Sequence, residues 1–210
     1  MDGVEVFEKF AERYDSWFDR NPYAYKSELK AISALIPKGK GIEIGVGTGR
    51  FAKPLGIKFG IEPSRKMAEI ARKRGIEVVE GFAENLPVEN ESFDFALLVT
   101  VICFVKDVEK TFSEVRRILR RGGYIILGFI DGGSELGKKY MERRKDNVFY
   151  RVARLYTTEE ILKILTKHKF GEFKILQTIF SEPENMMEED EVKEGYGKGM
   201  FVALRGKKML

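Results

Sequence analysis

The densest chemical signal in this 210-residue chain is Glu43-Ile-Gly45-Val-Gly47-Thr-Gly49, directly after an apolar strand start. Glycine has no Cβ, so the backbone can turn sharply there and a ligand can approach the main chain closely. The helix start that follows offers unpaired N–H groups. The spacing is GxGxG with an acid two residues ahead of the first glycine, not the GxGxxG of a dinucleotide-binding turn. A second acid, Glu62, closes the next predicted strand, 17 residues beyond Gly45. A carboxylate in that place can accept hydrogen bonds from both hydroxyls of a ribose. Read alone, Glu62 serves equally well as a charge near Ser64, favourable with the dipole of the helix that follows. Coupled to the glycine turn, it reads as a ribose ligand.

The other reactive residue types are sparse. The single cysteine, Cys103, excludes a disulfide framework and leaves no CxxC pair for zinc. Ile102, not proline, precedes it, so it reads as a buried hydrophobe and not as a nucleophile. His168, the sole histidine, falls at a helix end and reads as a surface residue. No carboxylate lies in Thr100–Val105, after the fourth strand, so no metal is expected. Thr100 and Cys103 sit where α/β sheets place their ligands, beyond the carboxyl end of a strand.

The net charge of +4 is too small, by itself, to imply nucleic acid. The longest apolar run, Phe95–Val105, falls well short of the roughly 18 residues of a membrane span. The start, MDGVEVFEKF, holds no stretch resembling a signal peptide. The expectation is a cytoplasmic protein with no membrane partner. A 33% share of charged residues, with one Gln and one Cys, suits a heat-adapted source. The length predicts one domain, large enough to bury about 70% of its unfolded surface.

These residues need a scaffold, and the pattern supplies one. Short β-branched or aromatic runs alternate with amphipathic stretches, which predicts an α/β, doubly wound, mostly parallel sheet with helices on both faces. Seven strands are expected: 41–45, 58–62, 77–80, 93–99, 124–130, 173–180 and 200–205. Ser64 caps a helix carrying Met67, Ile70 and Ala71, which Gly75 ends. Phe112, Val115, Ile118 and Leu119 stripe a second helix, ended by Gly122–Gly123. Thr157 and Glu160 form a capping box ahead of a third. Leu29, Ile32 and Leu35–Ile36 stripe a helix stopped by Pro37. Ahead of it, Phe7, Phe10, Ala11, Tyr14 and Phe18 share helical spacing, so residues 1–36 form either a lid over the sheet's mouth or ordinary packing helices.

Two segments break the alternation. Residues 132–156 form a basic, helix-like insertion with seven Lys and Arg, at 138, 139, 143, 144, 145, 151 and 154. Glu182–Glu194 is an acidic loop in which six Glu and Asp190 face one lysine, Lys193. Segments of this kind are the places for substrate specificity, while most of their charges read as a solvated face.

Taken in order, GIEIGVGTGRF, GIEPSRKM, VEGFAENLP, SFDFALLV and ILRRGGYIIL resemble the class I S-adenosylmethionine-dependent methyltransferases, in their small-molecule, methyltransferase type 11-like branch. The likeness runs from about Phe7 to Phe170 and is most specific between Ile42 and Leu127. It implies a Rossmann-like sheet with an antiparallel final strand, S-adenosylmethionine as cofactor, S-adenosylhomocysteine as product, and a small-molecule methyl acceptor. It also implies roles. The glycines 45, 47 and 49 cradle the methionine moiety, and Glu43 orients its amino group. Glu62 binds the ribose diol. Phe82, Ala83 and Glu84 surround the adenine, with Met67 packing near it and the backbone of Ala83 contacting the ring. Tyr14, in an element resembling the family's YDxxF, reaches the cofactor carboxylate, and Thr100, from its place beyond the fourth strand, is expected among the cofactor ligands.

The chain departs from the family in places. Phe82 stands where the family commonly has an Asp that bonds the adenine amino group, so either Glu84 takes that role or stacking holds the ring. Ile102-Cys103-Phe104 replaces a His-containing element, and Arg121-Gly122-Gly123 replaces PGG. Pro54 leaves little room for the first helix. Asp94 matches a family position and reads as structural. No catalytic side chain is assigned, because positioning a nucleophile behind the activated methyl supplies ~7–11 kcal/mol on its own. Two alternatives stand beside methylation of a small molecule at oxygen or nitrogen. One is an RNA methyltransferase or RNA binder using residues 138–154. The other is a non-catalytic S-adenosylmethionine-binding protein. The acidic loop leans the small-molecule reading toward an amine.

Overall fold

A computed structural model describes residues 3–143 and 147–210. Its elements are α1 (Gly3–Arg20), α2 (Pro22–Ser33), β1 (Gly41–Ile44), β2 (Phe59–Glu62), α3 (Arg65–Lys73), β3 (Glu77–Glu80), β4 (Phe93–Val99), α4 (Val108–Ile118), β5 (Leu119–Ile130), α5 (Glu135–Glu142), α6 (Thr158–Lys167), β6 (Phe170–Thr178), β7 (Lys193–Glu194) and β8 (Phe201–Lys208). They form one sheet in the order β3-β2-β1-β4-β5-β8-β6-β7. β3, β2, β1, β4 and β5 pair in parallel. β8 runs antiparallel between β5 and β6, and β7 runs antiparallel to β6.

The period-2 alternation of β4 divides the core. Phe95, Leu97 and Val99 join one apolar cluster with Ala31 and Ile32 of α2 and Ala68 and Ala71 of α3. Ala96 and Leu98 join the other, with Phe112 and Val115 of α4 and Ile161 and Leu165 of α6. Side chains on successive strand residues point to opposite faces, so this strand builds two cores, and the doubly wound arrangement follows.

Local chemistry fixes the helix starts. The N–H of Met67 donates to the Ser64 hydroxyl at 3.3 Å, and that of Lys110 to the Asp107 carboxylate at 2.9 Å. Thr157 and Glu160 form the expected reciprocal box. Asp94 is structural: it accepts from the N–H of Lys40 at 2.7 Å and from Arg120 at 2.8 Å.

Three expectations change. The sheet has eight strands, not seven, because Lys193–Glu194 of the acidic loop pairs with Gln177 and Leu176. β5 begins at Leu119, before the two glycines, with Phe93 opposite Leu119 and Phe95 opposite Tyr124. The residues between bulge out at Gly122, whose φ is +70°. Finally, residues 50–56 make successive turns and no helix, where Pro54 lacks the N–H that a helix interior needs.

Candidate active site

The order of the sheet reverses between β1 and β4, the place where open α/β sheets bind ligands beyond their carboxyl ends. A cavity of about 570 Å³ opens there. Its floor is the glycine turn after β1, its walls are the ends of β2 and β4, and Gly3, Val4, Phe7 and Tyr14 of α1 also line it.

The glycines divide the work. Gly45 and Gly47 take φ of +66° and +55°, the left-handed region that costs other residues about 1–2 kcal/mol. A Cβ on Gly45 would stand 2.5 Å from a Val101 methyl, whereas one on Gly47 would project toward Tyr14 and Met67 at 3.7 and 3.9 Å. Gly49 lies off the cavity wall and packs against Ala71 and Ile76.

Glu62 is buried on the wall. One carboxylate oxygen accepts the N–H of Gly47 at 2.8 Å, and the other accepts that of Ser64 at 3.0 Å. Burial pushes its carboxyl up to about 7, against the pull of those two N–H groups. Each oxygen keeps a lone pair for a further donor, so the acid is anchored and still able to receive a hydroxyl.

Glu43 does not line the cavity. It is buried two residues before Gly45, and its Oε2 has no hydrogen-bond partner. Burial drives its carboxyl well above the ordinary range, opposed by the N–H of Ala52.

At the other end, Met67, Ala83 and Glu84 line the cavity together with Phe82, whose side is 52% exposed. Glu84 is engaged elsewhere: its Oε1 accepts the N–H of Lys106 at 2.7 Å. The ring of Phe82 is left open at the cavity. Thr100, at the end of β4, holds φ at +53°, an uncommon conformation for a β-branched residue and one that clusters at functional sites. Its N–H donates to the carbonyl of Gly128 at 2.7 Å.

Aromatic rings close the α1 side. Phe7 lies edge-on to Tyr14 and Phe104 at 5.4 and 4.9 Å and stacks on Phe149 at 5.2 Å. The Glu8 carboxylate accepts the Ser64 hydroxyl at 2.7 Å and the N–H of Lys66 at 3.2 Å, which ties this turn of α1 to the start of α3. Asp15 ties the next turns. It accepts from Thr48 at 2.6 Å and takes Arg50 and Arg74 as fork-like pairs at 2.8–2.9 Å. Burial raises its carboxyl, but the two guanidinium groups outweigh that and hold it well below the usual range.

Nine of the eleven expected ligands thus share one cavity, and Glu43 and Gly49 stand outside its wall. Sequence reasoning missed Gly3, Val4, Asn85 and Asp107; Asn85 lies within VEGFAENLP but carries no assigned role there, and the other three belong to none of the quoted motifs. Burial pushes the Cys103 thiol up to about 12, which keeps it protonated. His168 caps α6 and bonds Glu109 at 2.9 Å, away from the cavity. Among the described residues, no group of three or more His, Cys, Asp or Glu is arranged to hold a metal, and no helix is long and apolar enough to cross a membrane.

A methyltransferase domain family model matches residues 42–127. An uncharacterized protein of Methanocaldococcus jannaschii is 48% identical over 206 residues, which is 98% of this chain and 100% of the relative. A Thermotoga maritima crystal structure, described as an S-adenosylmethionine-dependent methyltransferase and possible histamine N-methyltransferase, is 53% identical with a TM-score of 0.96, covering 98% of this chain and 99% of that one. The chain belongs to the class I S-adenosylmethionine-dependent methyltransferases. An uncharacterized protein of Mycobacterium tuberculosis is 36% identical over 166 residues, 76% of this chain, and this methyltransferase spans 58% of that relative's length.

Proposed function

We propose that this methyltransferase binds S-adenosylmethionine in the cavity between β1 and β4 and methylates a nitrogen or oxygen of a small molecule, with an amine favoured. The observation that carries the reading is the placement of Glu62, Gly47 and the open Phe82 ring around one cavity that α1 also lines. When bound, the cofactor supplies a methyl group already activated for displacement. Glu62 receives the ribose hydroxyls, Phe82 stacks on the adenine, and Gly45, Gly47, Tyr14 and Thr100 shape the methionine end. Met67, Ala83 and Glu84 complete the adenine side, while Glu43 and Gly49 support the turn from behind. Residues 1–210 act as one methyltransferase unit. Within it, the described part of residues 1–36 covers the site and excludes water, and the described part of residues 132–156 lies toward the acceptor. No side chain needs to form a covalent bond, since holding two reactants in line is worth ~7–11 kcal/mol.

The basic insertion offers little support for an RNA substrate. Lys139 pairs with Glu135 at 3.4 Å, Arg143 with Glu182 at 3.3 Å, and Arg154 lies 4.5 Å over the Tyr156 ring. Arg144 and Lys145 lie outside the described residues. Release of S-adenosylhomocysteine from a plate of amines, phenols, carboxylates and tRNA tests the proposal. Turnover with an amine is expected. Turnover with tRNA alone transfers the assignment to RNA, and cofactor binding without turnover on any acceptor pool supports a sensor.

A further inference from the structure

Glu28 sits on the inward face of α2 beside Ala24, Ala31 and Ile32 and is only 7% exposed. No hydrogen-bond donor or cation among the described residues pairs with its carboxylate, and burial, acting alone, pushes it up to about 8. Removing a lone carboxylate from water costs several kcal/mol, and an apolar side chain at the same place carries no such penalty. The group therefore has no account in the fold itself.

Its surroundings supply one. The apolar cluster that holds its helix neighbours Ala24, Ala31 and Ile32 also takes four phenols: Tyr14 of α1, Tyr25 of α2, Tyr140 of α5 and Tyr150 of the 3-10 turn at Tyr150–Val152. Tyr140 and Tyr150 meet edge to face at 5.2 Å and pack with Tyr14 against the same apolar cluster as α2. Tyr14 also lines the cofactor cavity. An unpaired buried carboxylate on a cluster shared with aromatic rings, one of which lines the cavity, matches an organic ammonium: the charge is neutralised and the rings attract the cation.

We propose that Glu28 is the acceptor-recognition residue, binding the ammonium group of an amine acceptor among Tyr14, Tyr140 and Tyr150. The assignment rests on the reading of this cavity as a small-molecule methylation site, and it moves the amine preference away from the acidic loop. There Glu188 and Glu189 are exposed, Glu189 lies 3.7 Å from Lys26, and Asp190 accepts the N–H of Phe180 at 2.7 Å.

Calorimetric titration tests this, with the S-adenosylhomocysteine complex and a probe set of 2-phenylethylamine, histamine and putrescine, each beside the alcohol of the same skeleton. Wild type should bind at least one amine tenfold or more tighter than its alcohol. Glu28→Gln should lose that preference while still binding S-adenosylhomocysteine, and Glu28→Asp should recover part of it. A preference that survives in Glu28→Gln, or no preference in wild type, overturns the assignment. Turnover of neutral acceptors should be unaffected by Glu28→Gln; a loss there as large as the loss for amines also removes the assignment and leaves methyl transfer standing. Failure of wild type to bind S-adenosylhomocysteine sinks the underlying reading and the assignment with it.

Discussion

The Glu62 carboxylate accepts the backbone N–H of Gly47 at 2.8 Å, so the acid at the end of β2 and the glycine turn after β1 form one hydrogen-bonded unit. That bond fixes the carboxylate rotamer before any ligand arrives, which lowers the cost of ordering it on binding. Glu62→Ala should weaken S-adenosylhomocysteine binding by ~1–3 kcal/mol, the scale of a lost charge-assisted acceptor. A pH signature should accompany it. Burial raises the Glu62 carboxyl to about 7, and a ribose hydroxyl donates best to the ionised form. Affinity should therefore rise as pH climbs through 7 and fall below it, and Glu62→Gln should flatten the curve. Calorimetry from pH 6 to 8 reads both effects, and equal affinities throughout would remove Glu62 from the ribose site.

Asp15 holds α1 to the site floor through Arg50 and Arg74, with side-chain exposures of 18%, 18% and 27%. Asp15→Asn breaks two fork-like pairs in a partly buried setting and should cost about 1–3 kcal/mol, at roughly 2–4 °C of Tm per kcal/mol for a chain of this size. The folded carboxyl titrates below its ordinary value of 3.8. Its contribution is therefore complete above that pH and is lost as pH falls below it. The gap between wild type and Asp15→Asn in urea unfolding should be full at pH 7 and narrow under acid. A gap independent of pH would show that Asp15 acts by shape alone.

The parts legible in the sequence were those written locally. Gly45, Gly47 and Glu62 announce themselves because a positive φ demands glycine and a strand-end acid has few other uses. The capping box at Thr157 and Glu160 is likewise complete within four residues. The start of β5 was hidden: Arg120-Arg121-Gly122-Gly123 looks like a turn, and only pairing of Leu119 with the distant Phe93 makes it strand. β7 was hidden too, because two charged residues on a sheet edge carry no periodicity. Glu28 lies in an ordinary amphipathic stretch, and its isolation appears only once α1, α2 and α5 have packed. Asp15 belonged to a recognised element, but its pairing with Arg74, 59 residues on, is a tertiary fact.

Gly45 and Gly47, the turn glycines that line the cavity, should separate folding from binding. Both sit at positive φ, so each Ala variant carries about 1–2 kcal/mol of backbone strain. Gly45→Ala adds a 2.5 Å clash with Val101, and its main effect should be a lowered Tm beyond that strain. Gly47→Ala meets only ordinary contacts with Tyr14 and Met67. Its methyl enters ligand space, so the larger effect should be a drop in S-adenosylhomocysteine affinity of tenfold or more. Thermal melts with and without the ligand distinguish them, and identical behaviour of the two variants would contradict the division.

On the proposed reading, Phe82 stands where the resembled family commonly has an Asp beside adenine, and its exposed ring would hold the base by stacking. With 52% of its surface open, the ring contributes little to the core, so Phe82→Ala should leave Tm nearly unchanged. The loss should fall on binding instead, by ~1–3 kcal/mol, the range for one base–aromatic stack. Phe82→Trp should retain affinity, because the π surface is kept. Phe82→Asp separates the two modes of recognition: if a carboxylate at this position bonds the amino group of adenine, binding recovers relative to Phe82→Ala. Calorimetry with S-adenosylhomocysteine against S-inosylhomocysteine, in which an oxygen replaces that amino group, completes the test. Wild type should discriminate weakly between the two ligands and Phe82→Asp strongly. Strong discrimination by wild type would place a hydrogen bond to adenine on another residue, with Asn85 on the same wall the first to examine.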